Sequence, residues 1–157
     1  MKKVLLAIVV LVLLIVIYLM IRGMSSRAGS TPGLADGQLK PCPEKPNCVC
    51  SEYPQDSDHY IAALEFGNRS PSEALTSLRS IALESGAKIE TESNGYLALS
   101  FQSAIFGFVD DLELRLDEAA RLVHVRSAAR VGNSDLGVNR ARVEAIRQKY
   151  HALAGNG

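Results

Sequence analysis

The chain has no tryptophan, only three histidines and three cysteines in 157 residues, and a formal charge of zero. Each scarcity narrows the function. Absent tryptophan and a neutral charge balance disfavour a nucleic-acid binder. The cysteines also lack the Cys-x2-Cys spacing of a zinc site; a set of Cys42, Cys48, Cys50 and His59 would have the ligand types alone. No Gly-x-Ser-x-Gly elbow surrounds Ser127 or Ser134, and Ser127 has the opposite strand parity to His124, which argues against a serine hydrolase. Charge, too, is missing where it matters most: no residue from Val4 to Ile21 carries any.

That run is the most telling feature present. Eighteen apolar residues at about 1.5 Å each reach roughly 27 Å as a helix, close to the hydrocarbon thickness of a bilayer. A secretory signal has a shorter apolar core and a small-x-small cleavage site. Here the run ends Tyr18-Leu19-Met20-Ile21-Arg22, with Ala28-Gly29-Ser30 as a poor substitute. Residues 1–27 therefore read as an uncleaved transmembrane anchor. Lys2, Lys3 and the amino terminus, set against Arg22 and Arg27, predict a single pass with the N-terminus cytoplasmic and the C-terminal domain extracytoplasmic.

Residues 28–58 are rich in Gly, Ser, Pro and Asp without hydrophobic period, and read as a tether ending in Pro41-Cys42-Pro43-Glu44-Lys45-Pro46-Asn47-Cys48-Val49-Cys50. No regular structure is expected there. A disulfide would staple the segment on the oxidising side. Cys-x-Cys neighbours seldom bridge each other, so Cys42 with Cys48 is the expected pair and Cys42 with Cys50 the second.

Residues 59–157 hold enough apolar sequence for one core. His59 to Phe66 suits a first strand. Ser70-Pro71-Ser72-Glu73 is a capping box with proline at the first helical position, and the helix it opens carries Ala74, Leu75, Leu78, Ile81 and Ala82 on one face and stops at Gly86. Asn94-Gly95 predicts a type I′ hairpin between flanking strands. Phe108 to Leu116 alternates, with Leu112, Leu114 and Leu116 on one face and Asp111, Glu113 and Arg115 on the other; Arg121 to Ala129 alternates through Val123 and Val125. A turn at Glu118-Ala119, or at 117–120, would set Leu114 against Val123, Leu112 against Val125, Glu113 against His124 and Asp111 against Arg126. Asp110 falls with the leucines and needs Arg130 or Arg142 beside it. From Asp135 onward Leu136, Val143, Ile146, Tyr150 and Leu153 form a helical stripe. The expected fold is α+β: an antiparallel sheet of about five strands with two helices on one face, preceded by the single membrane helix.

Four motifs carry a resemblance: Leu39-x-Pro41-Cys42-Pro43 with Pro46-Asn47-Cys48-Val49, Phe106 to Glu113, Arg126 to Gly132, and Ser134 to Glu144. In that order they resemble domain-of-unknown-function family 1499 from about Leu39 to Ala152. Cys50 stands where the family usually has serine, and Ala129 replaces a serine in its Arg-Ser-Ala-Ser-Arg. The resemblance implies an envelope-side domain behind an export or anchor segment, and it brings no established activity to carry over.

Charge is unevenly laid out: Ala28 to Ala120 has 6 basic against 15 acidic residues, and Arg121 to Gly157 has 7 against 2. Either the halves pack together or a basic face meets an anionic partner. Arg126, Arg130, Arg140 and Arg142, with Asn139, form the candidate partner site for an anionic lipid, envelope polymer or envelope protein. Asp110, Asp111, Glu113, His124 and Asp135 are expected as structural ion pairs, Asp135 also as a helix cap. The alternative is an acid/base or divalent-metal site of Asp111, Glu113 and His124. No cofactor is implied. His59 and His151 are expected to be solvated at element ends. The function read from sequence is thus a membrane-anchored, extracytoplasmic binding or accessory protein of the cell envelope.

Overall fold

Helix α1 (Lys2–Arg27) carries the apolar run out of the rest of the structure, a computed structural model that describes residues 1–154. The final three residues of the predicted 59–157 domain lie outside that range. No residue of the most apolar stretch of α1, at mean hydropathy 3.6, is buried within the protein. Only the end of the helix packs against the domain. Gly23 and Ser26 are buried and Leu19 is half-buried, so the spacing 19, 23, 26 marks one helical stripe that meets the domain.

The chain then forms a small ribbon of β1 (Leu34–Ala35) and β2 (Gln38–Leu39), followed by β3 (Cys48–Cys50) and β4 (Leu64–Glu65). Helix α2 (Pro71–Glu84) begins at the expected capping box: Ser70 Oγ accepts from the Glu73 N–H, and the Glu73 carboxylate accepts from the Ser70 N–H. Four strands follow, β5 (Lys88–Ser93), β6 (Tyr96–Gln102), β7 (Val109–Asp117) and β8 (Leu122–Ala129), and then α3 (Val138–Ala154). The six-stranded antiparallel sheet runs β3-β8-β7-β6-β5, with β4 also pairing to β8. Both helices cover one face. Leu78 and Ile81 from α2 and Val143, Ile146 and Tyr150 from α3 close over Leu97, Leu99, Leu112, Leu114, Val123 and Val125. Each such aliphatic side chain, fully buried, contributes about 1.5–3 kcal/mol.

Several expectations are corrected. The cysteine segment is not irregular throughout: Cys48, Val49 and Cys50 pair with Ala128, Ser127 and Arg126, because an open sheet edge accepts any backbone that can donate and accept. The 59–66 segment is a strand only at Leu64–Glu65. Upstream it makes only a single parallel bridge, Tyr60 against Cys50, and guanidinium groups take most of the remaining carbonyls, Arg140 those of Asp58 and Tyr60 and Arg147 those of Ala62 and Ala63. The hairpin at Asn94-Gly95 forms, but of its two central residues only Gly95 takes a positive φ, 76°, so the turn is not type I′.

The β7–β8 register is displaced by two residues. Leu114 opposes Val125, Leu116 opposes Val123, and Glu113 opposes Arg126. The connection is the four-residue Glu118–Arg121 turn, closed by Arg121 at φ 58°, which no residue type there announces. An even displacement leaves every side chain on its expected face and changes only its partner. Leu136 does not join the α3 stripe; at φ 56° it sits in the preceding turn and faces solvent. Leu153 is half exposed.

Candidate functional site

Alternation along β7 sends Asp111, Glu113 and Arg115 to the sheet face away from the helices, and that face is roofed by the 29–40 segment. Glu113 is fully buried there and accepts from the Tyr96 hydroxyl at 2.6 Å, Arg126 Nη1 at 3.0 Å and the Gly33 N–H at 3.0 Å. Asp111 accepts a forked pair from Arg130, whose third nitrogen donates to the Gly29 carbonyl at 2.6 Å. Burial pushes both carboxyls above their usual range while these donors pull them back. The Tyr96 phenol is pushed far up by burial and by the carboxylate beside it. Leu39, Cys42, Cys50, Tyr53 and Ala98 pack around this layer, and burial raises the Cys50 thiol, which makes it a poor nucleophile.

His124 stands opposite Arg115, not Glu113. Its Nδ1 meets Ser51 Oγ at 3.1 Å, and burial lowers its imidazole below the ordinary value. Asp111, Glu113 and His124 therefore do not converge into an acid/base or metal centre. Among the described residues no three His, Cys, Asp or Glu side chains are placed to hold a metal ion.

A second polar chain lies on the helix side. Asp110 is paired with Arg142 at 2.7 Å, which answers the need for a partner at its position among the leucines. Arg142 also donates to Asn139 Oδ1 at 2.7 Å and lies over the Phe101 ring. Asn139 Oδ1 accepts from buried Ser127 at 2.6 Å, and its amide donates to Asp135 at 2.9 Å. Asp135 in turn accepts from the N–H groups of Gly137 and Asn139, capping α3. Burial alone would raise its carboxyl; those donors outweigh it and hold it below the usual range.

The four arginines read as one cluster are thus dispersed. Arg126 and Arg130 are neutralised under the roofing segment, and Arg142 is neutralised beside α3. Arg140 differs: it binds two main-chain carbonyls and, among the described residues, has no carboxylate within ion-pairing distance. It opens onto a cleft of about 440 Å³ between the cysteine loop and the start of α3, lined also by Glu44, Lys45, Asp58, His59, Asp135 and Asn139. The Cys42–Cys48 disulfide, with Cα atoms 5.7 Å apart, closes the loop that forms one wall. It also takes two of the four ligands a zinc set would have used.

His59 is not simply solvated. Its Nδ1 faces Asp56 at 2.8 Å and its Nε2 faces the Lys45 carbonyl at 3.0 Å. Both neighbours are acceptors, so the ring makes both bonds only when both nitrogens carry hydrogen. His151 is exposed on α3. Lys45, Asp58 and His59 gave no motif in the sequence, because Lys45 in the bridged loop and Asp58 and His59 downstream of it reach the start of α3 only through tertiary packing.

The family model described as "Protein of unknown function (DUF1499)" matches residues 38–150. No curated protein and no solved structure matches the chain.

Proposed function

The chain belongs to the DUF1499 family, and we propose that it is a membrane-anchored accessory protein whose extracytoplasmic domain binds an anionic group of an envelope partner in the cleft at Arg140. The observation that carries this reading is the Arg140 guanidinium: of the four arginines singled out, it alone meets a cleft without a carboxylate paired to it. Lys45 adds a second cation from the facing wall. Glu44, Asp58 and Asp135 line the rim as well, which suits a small anionic group on a larger polar partner better than a densely charged polyanion. The Cys42–Cys48 bridge supports placement on the oxidising side, as do Lys2 and Lys3 ahead of the apolar run.

The test uses the full chain in detergent micelles, with inorganic phosphate as probe. Added phosphate should raise the unfolding temperature, and Arg140→Gln should abolish that rise. No rise, or an equal rise in Arg140→Gln, overturns the binding reading. A reporter fused to the C-terminus that works only in the cytoplasm overturns the topology.

A further inference from the structure

Beyond α1, the two most exposed large apolar side chains among the described residues are Leu136, at 95%, and Ile105, at 85%. Both sit at one end of the sheet. Ile105 is in the β6–β7 turn and Leu136 follows β8, and the register sets Gln102 against Val109 and Asp110 against Ala129. This is the end from which α1 departs, since Ser26 is hydrogen-bonded to Val109.

The turn holding Ile105 is not frayed. Ser103 N–H donates to the Phe108 carbonyl at 2.8 Å, Phe108 N–H to Ser103 Oγ at 2.9 Å, and Gly107 N–H to the Ser103 carbonyl at 3.2 Å. Ile105 is therefore presented outward by a stapled backbone. The same turn runs alongside α1. Ala104, Ile105 and Phe106 face Met20 and Met24 across a groove of about 220 Å³. Gly23 lies so close to the Phe106 carbonyl that a Cβ would fall 1.8 Å from its oxygen. From Met20 to Met24 the helix rises about 6 Å, and that interval straddles Ile21, the last residue of the apolar run.

We propose that the Ser103–Gly107 turn is a second membrane contact, in which Ile105 enters the boundary between headgroups and acyl chains of the leaflet where α1 emerges. The occupant of the groove between turn and helix is lipid of that leaflet. Arg22 and Arg27, the cations following the apolar run, stand at the level of the phosphates. The inference rests on the reading of α1 as an anchor and deepens it: the domain is seated on the bilayer instead of swinging from a tether, so the Arg140 cleft keeps one orientation to the surface.

Because the chain has no native tryptophan, single-tryptophan variants report depth cleanly. Ile105→Trp, Val12→Trp and Asn94→Trp are made in the full chain and reconstituted into phosphatidylcholine/phosphatidylglycerol vesicles, with or without bromine on the acyl chains. Tryptophan at 105 should lose emission in brominated vesicles and emit to the blue of tryptophan at 94, which lies in the β5–β6 turn at the other end of the sheet. Quenching at 12 without quenching at 105 overturns the second contact and leaves the anchor standing. Absence of quenching at 12 removes the anchor, and the inference with it.

Discussion

Val109 donates its backbone N–H to Ser26 Oγ at 2.8 Å, and the same hydroxyl reaches the Val109 carbonyl at 3.3 Å. One side chain in the last turn of the apolar helix thus completes the hydrogen bonding of the first residue of β7. Ser26→Ala leaves a buried N–H without a partner, which should lower stability by about 1–3 kcal/mol. Denaturant unfolding of the full chain in micelles measures it. Stability equal to that of the unsubstituted chain would show that α1 and the domain are energetically separate.

Arg126→Met should lower stability by about 3–5 kcal/mol, because it strands the buried Glu113 charge. Adding Glu113→Gln should restore part of the loss, since the uncompensated charge is then gone while Tyr96 and Gly33 still find an acceptor. A double-mutant cycle on unfolding free energies reads the coupling. Simple additivity would contradict the pairing.

Asp135 gives the pH-dependent case. Its folded carboxyl titrates below the usual value, so its stabilisation is complete above the unfolded value, about 3.9, and is lost as the pH falls through the lower folded one. Asp135→Asn, which keeps a capping acceptor but removes its charge, should therefore cost about 0.3–1 kcal/mol at neutral pH. That deficit should shrink in acid as the carboxylate of the unsubstituted protein protonates. A deficit independent of pH would refute the charged-cap account.

In the native protein neither Cys42 nor Cys48 should alkylate, and Cys50 should stay unmodified because it is buried and its thiol is raised. After unfolding without reductant, Cys50 alone should label. Cys42→Ser should lower stability by about 2 kcal/mol, the chain-entropy value for so short a loop. Mass spectrometry of alkylated peptides and unfolding curves check the two parts.

Much of the fold was legible where local physics is strong. The Ser70 capping box, the Asn94-Gly95 hairpin and the alternation of Leu112, Leu114 and Leu116 each depend on neighbours a few residues away. Partner identity was not legible: Arg121 closes the β7–β8 turn with a positive φ that arginine seldom adopts, and that one residue moved Glu113 from His124 to Arg126. The candidate site suffered most, because Arg126 and Arg130 pair with Glu113 and Asp111 on one face of the sheet while α3 carries Arg140 and Arg142 on the other.

By itself the sequence determined the apolar helix, the two-sided pattern of the central strands, the first helix of the domain and the need of Asp110 for a guanidinium. These follow from periodicity, capping and the free energy of burying charge, all of which act along the chain. Tertiary structure alone decided that residues 29–40 roof the polar face of the sheet, that Cys48–Cys50 extends its edge, and that the last turn of α1 grips β7. Such contacts join residues about 80 to 100 positions apart through backbone groups every residue possesses, so no local pattern of side chains could have announced them.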